Sequence, residues 1–393
     1  MTQRTSKLLV AAGVLVGVAL VAAACGPPKV VPPRSGPPTT PAGPTTTLFT
    51  SPPHLYAQTP LNGWGQDGIA NSVDIAGNIV FVGGEFDEAV KGNQSAPRSN
   101  VMAVERTSGD LLPFVANTNG VVRVVLSDGF NTYIGGDFTT VNGVQRPRLA
   151  KVNAGTGALD TSFAPNVPVS VTDLLLVGNK LFVVGSFGQV NGVQRPGAAL
   201  LDKGTGALDP TFSPNAQSRV NTVAISPNGA HVYLGLAGQT GPYLLDVNPV
   251  TGAIQGPDFS LLNDYIRDVT VGPDGTVYVA AGGQMNSAIA INPSTGRQEW
   301  RQRAEGDVQA VKYSNGYLFF GFHDGFTING TRSFTLRLLA ADPATGDLVA
   351  SFTPESCCYP GVLTIDADGT FLAVGGLYAR MGGRSVHGVS IHP

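Results

Sequence analysis

Charge is scarce in this chain. Charged residues make up 13% of its 393 positions, roughly half the ~25% of an average soluble domain. That shortage argues against long solvated helices with charged faces, and no stretch has helical periodicity. Without helices there is no Gly-rich loop opening onto a helix N-terminus for phosphate, and no Gly-x-Ser-x-Gly nucleophile elbow is present. The formal net charge of −3 gives no electrostatic footprint for a polyanion, so nucleic acid is not an expected partner. Tryptophan is limited to Trp64 and Trp300. The Arg297-Gln298-Glu299-Trp300 stretch therefore stands alone and builds no repeated tryptophan girdle of the quinoprotein kind. The five histidines, His54, His231, His323, His387 and His392, form no His-x-His or His-x-x-x-His pair, so neither a metal nor any other cofactor is expected. Asp-rich turns such as Gly272-Pro273-Asp274-Gly275 lack the closely spaced oxygen donors of a calcium loop.

Cysteine is nearly absent, with three residues in all. A disulfide framework is excluded. Cys357 and Cys358 are neighbours. Their Cα atoms lie about 3.8 Å apart across a trans peptide, below the usual range for a bridge. In an oxidising compartment the expected form is a vicinal disulfide that stiffens its loop.

Cys25 belongs to a different object. Arg4 and Lys7 precede a 17-residue run without charge, residues 8–24. This is the n-region and h-region of an export signal, a little short for a bilayer span. The run ends Ala22-Ala23-Ala24-Cys25-Gly26, which resembles a bacterial lipobox. The resemblance implies cleavage before Cys25, acylation of Cys25, and a protein tethered by lipid to the outer side of the cell membrane. Residues 26–53 contain ten prolines and cannot bury enough apolar surface to fold. We read 1–24 as signal, 25–53 as a Pro-rich stalk and 54–393 as the folded domain.

What the chain has in excess is glycine, 51 residues, about 13% against a usual ~7%. Much of it punctuates a repeat. Residues 133–166 and 182–215 align without a gap at an offset of 49, and both contain Val-Asn-Gly-Val-Gln-Arg-Pro. The echo extends further in turn chemistry. An Asx-x-x-Thr-Gly turn or its variant ends at Gly109, Gly157, Gly206, Gly252, Gly296 and Gly346, spaced by 44 to 50 residues. Each is preceded by a Gly-containing turn, such as Asp128-Gly129, Asn228-Gly229 or Asp274-Gly275, between β-branched or aromatic runs. Asx-Gly between such runs signals a hairpin.

Each unit therefore reads as four strands, A to D. There are seven A–B turns and six C–D turns, and the seventh unit ends at Ser390-Ile391-His392-Pro393, one strand short. The expected architecture is all-β: a seven-bladed β-propeller of four-stranded blades. Leu55–Thr59 would close the ring by pairing near Val389–Ile391, leaving only short protected edges.

The units resemble the delta-60 repeat propellers of exported bacterial proteins. The matching residues are Gly135-Gly136-Asp137-Phe138, Val141-Asn142-Gly143, Arg146, Leu159-Asp160-Thr161-Ser162-Phe163 and Pro165. The second and third units match closely, the first, sixth and seventh in places. The fourth and fifth are shorter and lack Val-Asn-Gly. The family implies a fold and an exported setting, and no catalytic residue.

Five B–C loops end in arginine: Arg98, Arg146, Arg195, Arg332 and Arg384. Glu85 and Asp137 close the preceding strand in two of these units. Two readings stand. Each arginine braces its loop through its planar fork of donors, or the series forms a ring of donors for an anionic or sugar-like ligand. The B–C loops carry most of the length variation, and the face on which they emerge also carries Asp264, Tyr265 and Tyr359; loops on a rigid scaffold are where binding sits. The expected function is a monomeric binding or scaffold domain for a protein or cell-wall polysaccharide. An extracellular enzyme, polysaccharide-acting, lactone-acting or quinoprotein-like, is the alternative.

Overall fold

The computed structural model describes residues 54–393 apart from positions 217, 239–240, 329–330 and 359. Residues 1–53, with the lipobox Cys25 and the stalk, and Tyr359 lie outside the described residues.

The described residues hold strands and turns and no helix. Among the described residues, seven larger antiparallel sheets follow one another along the chain, accompanied by five smaller ones built on the loops between their strands. Sheet 1 is built from Ile69–Ala76, Ile79–Glu85 and Val101–Glu105, and sheet 2 from Val122–Ser127, Asn131–Gly136 and Leu149–Asn153. Sheet 3 holds Val171–Val177, Lys180–Gly185 and Ala198–Asp202. Sheet 4 holds Val220–Ile225, Val232–Leu236 and Leu244–Val247. Sheet 5 has four strands, Ile266–Val271, Val277–Ala281, Ser287–Ile291 and Gln298–Arg303. Sheet 6 is Val308–Ser314, Tyr317–Phe322 and Leu338–Ala341, and sheet 7 is Gly361–Ala367, Leu372–Leu377 and Val389–His392.

Strand D is the element that differs from expectation. Only sheet 5 carries it as a strand. In sheets 1, 2, 3, 4 and 6 it is reduced to one bridging residue after the Thr-Gly or Ser-Gly turn: Leu111, Leu159, Leu208, Ile254 and Leu348. The rest of the segment leaves the ladder to bury an aromatic ring. Phe114 meets Phe81 at 5.4 Å, Phe163 meets Tyr133 at 5.7 Å, Phe212 meets Phe182 at 5.2 Å and Phe352 meets Phe319 at 5.3 Å, all edge to face. Burial of the phenylalanine outweighs further strand pairing there, since a buried ring removes far more apolar surface than one ladder bond is worth.

The core is divided among seven clusters, each between adjacent sheets. One of them joins Val73 and Val82 of sheet 1 to Ala373 and Ile391 of sheet 7, so the packing is cyclic. The N-terminal segment runs beside the last strand. Ala57 N donates to Pro393 O and Leu61 N to Ile391 O, both at 2.8 Å. The segment is not itself a strand. Tyr56 anchors it, packed 5.3 Å from Phe319 and bonded through its hydroxyl to Ser314 Oγ at 2.7 Å. His392, fully buried beside it, bonds Ala57 O through Nδ1 at 2.8 Å, and burial pushes its pKa down to about 4, keeping it neutral.

Candidate functional site at the channel mouth

The first strand of every sheet faces the central channel. It is an edge strand, and its outward amides need acceptors. Side chains of neighbouring sheets supply them. Ser72 Oγ accepts from Val125 N, Asp173 Oδ2 from Val223 N, Asp268 Oδ2 from Val311 N and Thr364 Oγ1 from Val73 N. One step deeper, Asp74 Oδ2 accepts from Ser127 N and Asp366 Oδ2 from Ile75 N.

These staples place four carboxylates and Lys312 along a cavity of about 310 Å³. Lys312 Nζ pairs with Asp366 Oδ1 at 2.6 Å. Burial pushes the Asp74 carboxyl up to about 8, with the charge of Asp366 adding to it. Burial likewise raises Asp173 to about 7 and Asp268 to about 6, against the opposing effect of the amides they accept. Burial alone would lower the Lys312 ammonium, but Asp366, Asp268 and Asp74 outweigh it and raise it.

At the end of the channel where the B–C loops emerge, one residue from each sheet lines a second cavity of about 290 Å³: Asn71, Arg123, Thr172, Asn221, Arg267, Gln309 and Leu363, joined by Arg219. Three of them tie sheet to sheet. Asn71 donates to Val122 O, Thr172 to Val220 O and Asn221 to Ile266 O. Two arginines are neutralised. Arg123 binds Asp137 Oδ2 through Nη2 at 2.6 Å and Nε at 2.8 Å. Arg267 Nη2 binds Asp307 Oδ2 at 2.7 Å, as does the Tyr265 hydroxyl, and the Gly283 amide donates to Asp307 Oδ1. Burial would raise the Asp307 carboxyl, yet hydrogen bonds from His323, Arg267 and Tyr265 hold it well below the usual carboxylate range.

Arg219 is the exception. It is exposed, and its guanidinium has no hydrogen-bond or ion-pair partner among the described residues. Partial burial, together with the positive charges of Arg123 and Arg267, pushes its pKa down. The mouth thus holds an unspent positive charge over a floor of amide side chains, and Asn221 Oδ1 there is buried without a partner.

The five loop arginines are placed differently. Arg98 Nη2 donates to Leu112 O at 3.1 Å, Arg146 Nη2 to Thr161 O at 3.2 Å and Arg195 Nη2 to Pro210 O at 3.0 Å. Arg146 and Arg195 are 9% and 7% exposed and brace the loop to the following D segment, though the Nε of each is buried without a partner. Arg332 lies 3.5 Å from Glu305 and stacks on Phe334. Arg384 is half-buried in the short strand Arg384–Ser385. The Val-Asn-Gly elements are two-residue hairpins, with Asn142 at φ 49° and Gly143 at φ 78°, the turn that Asn-Gly favours. They fold back along the outer edge. Asn142 Oδ1 accepts from Asn117 N, and Nδ2 reaches Gly157 O of the C–D turn at 3.1 Å. Asp264 caps its own loop, accepting from Tyr265 N and Gln284 N. Of the expected site residues that are among the described ones, Tyr265 alone joins the mouth cluster, through Asp307. Cys357 and Cys358 are bridged, with Cα atoms 3.8 Å apart and Cys358 at φ 78°. Among the described residues no group of three or more His, Cys, Asp or Glu side chains is arranged to hold a metal.

Arg123, Arg219 and Arg267 were not singled out from sequence. The signal for the row was there: aligning the seven A strands stacks Asn71, Arg123, Thr172, Asn221, Arg267, Gln309 and Leu363 in one column.

A family model described as a domain of unknown function (DUF5122) beta-propeller matches residues 132–163 and 179–212, the two units most alike. No curated protein matches the chain. Among solved structures, the chain is similar to the WD40 beta propeller domain of Doa1, with a TM-score of 0.61 and 13% identity over 86% of this chain and 97% of that one. It is also similar to the computationally designed Ika8 protein, with a TM-score of 0.53 and 14% identity over 86% and 99%. At such identities the likeness is one of fold. The chain is an all-β, propeller-like protein.

Proposed function

We propose that this chain is an exported binding module: a seven-bladed propeller, each sheet one blade, with the outer strand shortened in sheets 1, 2, 3, 4 and 6, tethered through Cys25 and a Pro-rich stalk. The segment around Tyr56 and Ala57 supplies the missing outer edge of the last blade. The channel mouth receives an anionic group of a cell-wall or protein partner. The observation that carries this is Arg219, an exposed guanidinium without a partner at the point where the A strands converge. The opposite signs of Arg123–Asp137 and Arg267–Asp307 cancel, so Arg219 sets the local field. A binding role leads over an enzymatic one because the titratable groups lining the channel are engaged in joining sheets.

Polygalacturonate, an anionic polysaccharide, is a suitable probe. Binding should weaken with salt, and Arg219→Ala should reduce affinity at least ~5-fold, the loss of one charge-assisted contact, with the melting temperature unchanged. Equal binding by Arg219→Ala overturns the mouth as the site. In cell fractionation, Cys25→Ser should move the protein from membrane to soluble fraction or leave its precursor uncleaved. Normal cleavage with unchanged attachment would refute the tether.

A further inference from the structure

The opposite end of the ring, formed by the A–B and C–D turns, has clefts between neighbouring sheets, and two equivalent clefts differ in a way that names a ligand. Between sheets 2 and 3 the cleft is filled from within. Lys151 Nζ donates to Gly204 O at 2.7 Å and pairs with Asp160 Oδ2 at 2.8 Å, with Phe163 5.4 Å beneath it. The Tyr133 hydroxyl donates to Lys203 O at 2.9 Å, and Lys203 Nζ pairs with Asp128. At the sheet 5 to sheet 6 boundary Tyr278 repeats the first of these bonds, donating to Pro343 O at 3.1 Å.

Between sheets 4 and 5 the same positions carry other residues. Tyr133 pairs across its sheet with Lys151, and Tyr233 pairs with Asp246, so Asp246 stands where Lys151 stands. Pro293 and Ser294 replace Lys203 and Gly204, and Gln255 replaces Asp160. Both lysines are gone, and a cavity of about 550 Å³ opens, within the range of small-molecule sites. Its lining includes Asp246 and Asp274 and no lysine or arginine. Tyr233 is 1% exposed, and its hydroxyl, on the cavity wall, has no hydrogen-bond partner among the described residues. A hydroxyl on a cavity wall is open to a partner supplied by an occupant. Asp246 accepts from His231 Nδ1 at 2.8 Å and from Gln255 Nε2 at 3.3 Å, which leaves lone-pair capacity on its carboxylate. The wall is therefore rich in acceptors and negative in charge.

We propose that this cleft binds a small primary ammonium on an aliphatic stem, which takes the place that the Lys151 side chain occupies between sheets 2 and 3. The ammonium's three donors meet the Asp246 carboxylate, the Tyr233 hydroxyl and the Ser294 carbonyl, the last corresponding to the Gly204 carbonyl that holds Lys151. The site lies at the other end of the ring from Arg219 and is independent of it.

The test is calorimetric titration of the protein with 1,5-diaminopentane. The wild type should bind. Asp246→Asn should weaken binding by ~10-fold or more, and Tyr233→Phe by several-fold, as expected for losing a charged and a neutral hydrogen-bond partner. Asp246→Lys should restore the internal ammonium, abolish binding and leave the melting temperature equal or higher. Absence of binding to the wild type at ~10 mM, or binding that survives Asp246→Lys in a folded protein, overturns the proposal. Tighter binding of glucose than of the diamine would also overturn it, assigning the cavity to neutral polar ligands.

Discussion

The inner and outer edges of this ring solve one problem by two chemistries. Both leave backbone groups without a strand partner, and both recruit side chains to satisfy them. Along the channel the acceptors are mostly carboxylates, as at Asp74, Asp173, Asp268 and Asp366. At the outer rim the work falls to amides and guanidinia: Asn142 and Asn191 at the hairpin tips, Arg98, Arg146 and Arg195 at their bases. The outer groups do not titrate in the physiological range. Of the inner ones, burial raises Asp74, Asp173 and Asp268 into it. The outer staples are thus insensitive to pH, whereas the inner ones accumulate charge as pH rises, relieved by the single ammonium of Lys312.

The contrast is broken most severely by removing that ammonium. Lys312→Met leaves Asp366 without its 2.6 Å partner and Asp74 and Asp268 without a counter-charge. Breaking a buried pair costs about 3–5 kcal/mol. The Lys312 side chain is 32% exposed, so a smaller loss of about 2–3 kcal/mol is expected near pH 7.5. The loss should shrink at pH 5, where the raised carboxyls are protonated. Denaturant unfolding at the two pH values measures it. A loss that is equal at both would mean that Lys312 acts by packing alone.

How far the sequence foretold this contrast depends on the residue. The turns were legible, because Asx-Gly and Thr-Gly carry their conformation locally: Gly157 takes φ 77° and Gly206 φ 75°, as such turns require. The Asn142-Gly143 turn was read as part of a B–C loop, although it carries the same local Asn-Gly signal. Its folding back onto Gly157 depends on contacts between distant segments. The arginine series illustrates the same limit. Its regular spacing pointed to a shared role, and spacing alone does not tell a brace from a ligand site. Arg98, Arg146 and Arg195 share the bond to a carbonyl of the following D segment, 15 residues on for Arg146 and Arg195, whereas Arg332 meets Glu305 and Phe334 instead. The shortened D strand was illegible for a related reason: Phe163 and Phe212 leave the ladder because Tyr133 and Phe182 offer them a pocket.

Removing the outer braces should have the next largest effect. Arg146→Ala with Arg195→Ala takes two guanidinia from nearly buried sites and strips the carbonyls of Thr161 and Pro210 of their donors. Counting only the two bonds that cross to the D segment, at about 1 kcal/mol each, and not the bond of Arg195 to the adjacent Gln194 O, the double variant should lose about 2 kcal/mol, equally at pH 5 and pH 8. Polygalacturonate binding should be unchanged. Reduced binding with intact stability would return these arginines to the functional reading and undo the division between edges.

The smallest effect tests the inner edge alone. Burial raises Asp173 to about 7, above its value of about 3.9 in the unfolded chain. The folded state therefore holds this proton more tightly than the unfolded state does. The stability that follows is fully present below pH 4 and is lost as pH rises through 7. Asp268, raised to about 6, and Asp74, raised to about 8, act in the same direction. Carboxylates held low at the outer turns, such as Asp160 at about 2 beside Lys151, act oppositely and lose their contribution only in strong acid. Asp173→Asn keeps an oxygen for the Val223 amide and removes the ionisation. It should be close to neutral at pH 5 and stabilising by about 1 kcal/mol at pH 8, a fraction of the ~1.4 kcal/mol per pKa unit that full exclusion of water would give. Melting curves of the variant and the wild type should diverge as pH rises, by about 1–2 °C at pH 8 for a domain of this size. Divergence in the acid range instead would show that Asp173 is ionised throughout and that the channel is better hydrated than its lining implies.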